Sequence, residues 1–141
     1  MQPVAVHLFL RREQEILMLK RFNTGYEDGN FSVVAGHVEA GENVYEAAVR
    51  EAMEEAGIVP NDLEIVHVMN RHSAWGGTSQ ERIDYFLTCS NWLGEIHNQE
   101  PHKCSELRWV NLEELPENTI AYVQEAIHHY KSGAKFSVFG F

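Results

Sequence analysis

Residues 36 to 58 read GHVEAGENVYEAAVREAMEEAGI, and no other stretch limits the folding of this chain so tightly. Asn43 offers a side-chain oxygen to the free amides of a first helical turn, and Glu46 stands where it completes a capping box. Gly57 suits the left-handed residue that ends a helix, so the pattern predicts a helix from Asn43 to Ala56. Gly36 and Gly41 suit a tight loop before it. At about 100° per residue, Glu51, Glu54 and Glu55 fall within an arc of about 100°. Tyr45, Ala48, Val49, Ala52 and Ala56 form the expected apolar stripe on the opposite side, which the fold must bury.

Acid gathered on one helix face needs a counter-charge. Glutamates spaced i,i+3 and i,i+4 repel by a few tenths of a kcal/mol per pair, and the segment contains no lysine. A hard divalent cation such as Mg²⁺ takes carboxylate oxygens, waters and substrate phosphates, and three glutamates on one face suit it. Arg50 lies i,i+4 from both Glu46 and Glu54, where it can orient carboxylates from behind. An ordinary solvated acidic face is the competing interpretation of three glutamates taken alone.

At 141 residues, 44% of them apolar, the chain is expected to form one domain spanning residues 1–141 with a real core. A formal charge of −10 argues against a partner that is a nucleic-acid polymer, because a phosphate backbone is held by clustered Lys and Arg. The same charge repels a polyphosphate unless metal ions and a few local cations intervene. Cys89 and Cys104 have neither metal-site nor redox spacing, and no charged-then-apolar leader opens the sequence, so a reducing cytoplasm is expected. No apolar run approaches the roughly 18 residues of a membrane span. The eight histidines show no zinc-motif spacing; His37, inside the glycine-bounded segment, is the one placed to meet a ligand.

The rest of the chain reads as mixed α/β. Strands are expected at Val4 to Leu10 and Ile16 to Arg21 around a turn at Arg11 to Glu15, and at Phe31 to Val34. Leu63 to Arg71 and Ile83 to Cys89 read as strands separated by a loop containing Trp75, Gly76 and Gly77, and Leu107 to Val110 as another short strand. Ile120, Val123, Ala126 and Ile127 give Thr119 to Tyr130 the spacing of an amphipathic helix. The tail closes on Phe136, Val138, Phe139 and Phe141.

Gly36, Glu42, Arg50, Glu51, Glu54, Glu55, Gly57 and Ile58 fit every position of the pattern G-x5-E-x7-R-E-U-x-E-E-x-G-U, with U apolar and Ala52 its smallest acceptable case. In this the chain resembles the Nudix hydrolases. The resemblance implies an α-β-α sandwich with a mixed sheet, in which the motif forms a loop-helix-loop. It implies an enzyme that hydrolyses a diphosphate bond in a nucleoside diphosphate linked to a further group, with Mg²⁺ as cofactor and Mn²⁺ as a substitute. It further implies Glu51 and Glu55 as leading metal ligands. Glu54 is then a third ligand or the group that orients or deprotonates the attacking water, and Arg50 is the orienting member of the catalytic set. The backbone carbonyl of Ala35 and a later acid, Glu100 ahead of Glu95 and Glu81, complete the implied ligand set, with Gly36 and His37 close to substrate. Many family members read Pro-Gly-Gly where this chain reads Val34, Ala35, Gly36, so its loop entrance departs from the pattern.

Ser73 to Gly76 lack the tyrosine or proline that marks the dinucleoside polyphosphate and ADP-ribose groups of the family. What remains resembles the MutT-like branch, which splits nucleoside triphosphates, oxidised ones included, into monophosphate and pyrophosphate. Glu100 to Pro116 looks like a segment of those relatives, which makes Asn118 a candidate reader of the base; capping the last helix is its alternative role. Lys20 and Arg21 are candidate phosphate contacts, Phe22, Phe31, Trp75 and Tyr85 candidate stacking surfaces, and residues 23–30 a candidate rim. The alternatives are hydrolysis of another diphosphate, such as a nucleotide sugar, ADP-ribose or a non-nucleotide compound, and a nucleotide-binding module without catalysis. Dimers occur among relatives, which leaves a homodimer open.

Overall fold

The computed structural model describes residues 2–75 and 77–141, with Trp75 described by its backbone alone. In chain order the elements are β1 (Val4–Arg12), β2 (Glu15–Arg21), β3 (Phe31–Ser32), β4 (Val34–His37), α1 (Val44–Ala56), β5 (Val59–Asn61) and β6 (Glu64–Trp75), followed by β7 (Thr78–Cys89), β8 (Asn91–Leu93), β9 (Cys104–Asn111), α2 (Ala121–Ser132) and β10 (Phe136–Phe139).

The central strands are apolar on both faces, and this sets the layering. Val6, Leu8 and Leu10 of β1, with Leu17 and Leu19 of β2, enter one core together with the alanines of α1. The residues between them, Phe9, Ile16 and Met18, enter a second core with Tyr122, Val123, Ala126 and Ile127 of α2. Successive strand side chains point to opposite faces, so a strand covered on both sides loses polar alternation and reads as a continuous apolar run. The outcome is the expected α-β-α sandwich. Its main sheet runs β10-β6-β7-β1-β2-β3, with β4 also on β1 and β9 also on β2. The β1–β7 and β10–β6 pairs are parallel and the other pairs of this sheet antiparallel, which makes it mixed.

Both ends of α1 form as the sequence predicts. The Glu46 amide donates to Asn43 Oδ1 at 2.9 Å, and the Asn43 amide donates to Glu46 Oε1 at 3.0 Å. Gly57 adopts φ 72° and returns its amide to the Met53 carbonyl; a Cβ there would lie 2.3 Å from the His97 ring. The buried face, however, is Ala47, Ala48, Ala52 and Ala56, while Tyr45 is 46% exposed and Val49 half-buried. Glu51 shares that buried face instead of standing opposite it. Small side chains let the helix lie close to β4 and β1, and the close approach draws the neighbouring glutamate inward.

Several other boundaries move, each for a visible reason. The expected strand at Phe31 to Val34 divides: β3 pairs with β2, and β4 pairs with β1, placing Ala35, Gly36 and His37 in the sheet. The expected loop between Arg71 and Ile83 is mostly a hairpin, paired out to Trp75 and Thr78. Its strands are polar beyond the core, and backbone ladders do not require apolar side chains. Gly76 lies outside the described residues. The apolar tail becomes β10, parallel to β6, and the short pair β5–β8 had no periodic signal of its own. Helix α2 starts at Ala121 with Ile120 as its N-cap and no side-chain cap, so Asn118 does not cap it. Among the described residues no helix is long and apolar enough to cross a membrane.

Candidate active site

Arg50 is the hub of the site. Its Nε and one Nη donate to both carboxylate oxygens of Glu42 at 2.7 and 2.9 Å, a fork-on-fork contact that ties the helix to the loop before it. The other Nη donates to Glu51 at 2.7 Å and Glu54 at 3.3 Å, and a further bond at 2.9 Å holds the His37 carbonyl at the end of β4. Its expected partner Glu46 is engaged in the helix cap instead. The Arg50 guanidinium holds the Glu42 carboxyl down at about 2, with the Glu39 amide adding to the effect. The hydrogen bonds that Arg50 donates to Glu42, ahead of the one it donates to Glu51, push the Arg50 value up in turn.

Glu51 lies against the backbone of β4, and Gly36 makes the seat. A Cβ on Gly36 would fall 2.1 Å from the Glu51 carboxyl carbon. The signature glycine therefore acts by close approach; its strand conformation needs no special φ. One turn on, a Glu55 oxygen accepts from the Ala35 amide at 3.3 Å. Enclosure lifts the Glu55 carboxyl well above the usual range, and Glu51 and then Glu100 add to the effect against the pull of the Ala35 amide. Glu54 is the exposed member, with 49% of its side chain open.

These carboxylates border a cavity of about 630 Å³. Glu100 lines it too, whereas Glu81 and Glu95 do not. Among the described residues no three acidic, histidine or cysteine side chains form a finished metal cage. Arg50 binds one oxygen of Glu51 and one of Glu54. The donor chemistry nevertheless fits a hard divalent cation: an enclosed carboxyl whose value is raised by two other acids has an unmet demand for positive charge.

The other sequence candidates divide. Lys20, Arg21, Ala35, Gly36 and His37 line the same cavity. Arg21 is partly committed to the loop beyond β2, donating to the Tyr26 carbonyl at 2.7 Å and Thr24 Oγ1 at 3.0 Å. Asn118 is not among the cavity residues; its amide donates to the Gly29 carbonyl at 2.7 Å and latches that loop. Of the aromatic candidates, Phe31 is core and Tyr85 packs against the core, while Phe22 is 49% exposed and outside the cavity lining. The Trp75 side chain lies outside the described residues.

Sequence reasoning missed a buried charged cluster on the α2 side of the sheet. Asp84 of β7 accepts from Arg71 Nε at 2.6 Å and bonds His7 Nε2 at 3.0 Å, and the Arg71 guanidinium lies 3.6 Å from the centre of the Tyr122 ring. Burial alone would lift the Asp84 carboxyl, yet the His7 hydrogen bond and the Arg71 guanidinium hold it well below the usual range. His7 and Asp84 are 77 positions apart, and no local pattern links them.

A NUDIX domain model matches residues 1–130 of the chain. An ADP-ribose pyrophosphatase of Methanocaldococcus jannaschii is 44% identical over 57 residues, which are 40% of this chain and 33% of that protein. The 8-oxo-dGDP phosphatase NUDT18 of Mus musculus is 32% identical over 133 residues, 94% of this chain and 39% of that protein. The chain thus spans about a third of the length of the curated relatives it matches. A MutT NUDIX hydrolase from Burkholderia pseudomallei superposes with a TM-score of 0.81 at 23% identity, covering 91% of this chain and 97% of that one. A MutT protein from Methanosarcina mazei gives 0.76 at 23% identity, covering 93% and 94%. At that identity the two structures speak to the fold.

Two expectations follow from this geometry. Gly36→Ala should push the Glu51 carboxyl off β4 with little loss of stability, because the far end of a side chain gives way more cheaply than backbone. A displaced reacting group costs on the order of 100-fold in rate, so kcat on a cleaved diphosphate should fall by about that factor while the thermal midpoint stays close to the parent's. Full activity in this variant would show that the seat is unimportant. The second concerns acid. A carboxyl whose folded value lies below its unfolded value of about 3.9 stabilises the fold above that pH, and the contribution is lost as pH falls toward the folded value. Urea midpoints should therefore decline below about pH 4. Asp84→Asn should flatten that decline and cost roughly 3–5 kcal/mol at neutral pH, since it leaves Arg71 buried without its partner.

Proposed function

The chain belongs to the Nudix family, and on that premise we propose that it is a metal-dependent hydrolase of a diphosphate bond in a nucleoside diphosphate derivative. The favoured substrate is a nucleoside triphosphate, ordinary or oxidised, split to monophosphate and pyrophosphate. One observation carries the proposal: Glu51, Glu54, Glu55 and Glu100 share a cavity with Lys20 and Arg21, so acid for a cation and cations for phosphate border the same space.

Glu51 and Glu55 would hold the metal, with Glu54, Glu100 and the Ala35 carbonyl as further oxygen donors. When bound, a divalent ion such as Mg²⁺ supplies Lewis acidity to phosphate oxygens and acidifies water. The remaining work falls to the side chains. Arg50 fixes Glu51 and Glu54 relative to β4 through the His37 carbonyl, so the carboxylates need little reorganisation before reaction. Glu54 is the exposed carboxylate with the longest bond to Arg50, which suits it to orient a water and accept its proton. Lys20 meets phosphate oxygens as a point charge, and Arg21 braces the 22–30 loop at the cavity mouth.

A second reading, hydrolysis of ADP-ribose or a related diphosphate, is favoured by the name of the Methanocaldococcus jannaschii relative. A binding module without catalysis is disfavoured because every signature carboxylate is present. The test is a panel of nucleoside triphosphates, nucleotide sugars, ADP-ribose and dinucleotides, read by product identity with Mg²⁺ and with Mn²⁺. Monophosphate and pyrophosphate from a triphosphate are expected, with kcat lowered about 100- to 10,000-fold in Glu54→Gln and strongly in Glu55→Gln. Turnover confined to ADP-ribose or nucleotide sugars would replace the first reading with the second. Parent-like turnover in both variants would remove the assigned chemistry.

A further inference from the structure

A second cavity, of about 340 Å³, adjoins the first along Arg21, Ala35, Gly36 and His37 and extends to His7, Arg71, Arg82 and Tyr122. Among the described residues its lining holds three arginines and two histidines and no carboxylate, in a chain where Asp and Glu outnumber Lys and Arg by 21 to 11. Asp84 serves as counter-charge to two of those arginines at once. It takes a hydrogen bond from Arg71, and Arg82 Nε lies 3.5 Å from its other oxygen, near enough for attraction but without a hydrogen bond. One carboxylate shared by two guanidinium groups leaves positive charge unmatched in an enclosed place, a costly arrangement unless something completes it.

Two further details indicate the kind of group that fits the cavity. His7 Nδ1 and Arg82 Nε are buried without a hydrogen-bond partner, although His7 is only 2% exposed. Arg82 also rests one Nη on the His37 ring nitrogen at 3.1 Å, a neutral acceptor that an anionic oxygen would outcompete. Arg71, by contrast, is held by Asp84 with its guanidinium 3.6 Å from the centre of the Tyr122 ring. Ser73 and Gln80 add hydroxyl and amide donors to the lining.

We propose that this cavity binds an oxyanion, a phosphate or carboxylate group carried on the part of the substrate that lies beyond the diphosphate being cleaved. Arg82 and Arg71 supply the charge and the planar forks that match such a group. Only its placement on a substrate rests on the hydrolase reading; binding of the anion does not. The enzyme would then prefer diphosphates bearing a second acidic group over those whose distal portion is neutral.

The test uses the whole chain without divalent metal, so that the carboxylate cavity is inactive. Imidazole nitrogen resonances are followed by NMR during titration with inorganic phosphate, malonate and, as a neutral control, uridine. The His7 signal should move saturably with phosphate, malonate or both, and which of them binds tells phosphate from carboxylate as the natural group. In Arg82→Gln the apparent affinity should fall at least tenfold; in Lys20→Gln, whose lost charge borders the other cavity, it should stay within twofold. The parent titrations decide the matter even where Arg82→Gln folds poorly. A His7 signal unmoved by either anion would overturn the proposal, as would a response lost equally in Lys20→Gln or one produced by uridine alone. Failure of the hydrolase reading would appear separately, as no turnover of any diphosphate with metal present.

Discussion

Five contacts converge on the Arg50 guanidinium, and the site has its shape because of them. The bidentate bond to Glu42 anchors the loop that enters α1, the bond to the His37 carbonyl anchors the end of β4, and the bonds to Glu51 and Glu54 set two carboxylates between those anchors. An isolated surface ion pair contributes little, on the order of 0–1 kcal/mol. This one differs because its guanidinium is three-quarters shielded and each donor has a separate partner. Lysine could not replace it, since one ammonium cannot serve a fork and three further acceptors at once.

The sheet then separates charge by face. On the α1 side, Gly36 and the small residues of α1 bring Glu51 and Glu55 against β4. On the α2 side, β1, β6 and β7 bring His7, Arg71 and Asp84 together under Tyr122. β4 is the thin partition, lining both cavities with Ala35, Gly36 and His37. His37 touches both networks, its carbonyl held by Arg50 and its ring by Arg82. An acidic chain thus borders one cavity with carboxylates and the adjoining one with arginines and histidines, one residue layer apart.

How much of this was legible depended on sequence distance. The ends of α1 could be read from Asn43, Glu46 and Gly57 because capping is local chemistry, and the carboxylates could be read because helical spacing is local too. The inward turn of Glu51 could not, because it depends on how closely alanines let the helix approach β4. Glu100 was legible only as one acid among three in later loops; its place follows from the path of residues 98–104, where its amide is held by Asn98 and its carbonyl accepts from Lys103 and Cys104. His7, Arg71 and Asp84 come from three strands whose pairing is set by tertiary packing, so their meeting left no trace in any window of sequence. Asn118 read as a cap or a base contact and turned out to latch the 22–30 loop, a role fixed by a carbonyl 89 positions away.

The proposed hydrolysis requires a divalent cation to complete the carboxylates arranged around Arg50. Crystals grown with Mn²⁺ and a non-hydrolysable nucleoside triphosphate analogue would locate the ion by its anomalous scattering. Mn²⁺ is expected between Glu51 and Glu55, within reach of the Ala35 carbonyl and in contact with the analogue's phosphates. An ion found away from these residues, with Glu51 still bound to Arg50 and Glu55 still held by the Ala35 amide, would contradict it.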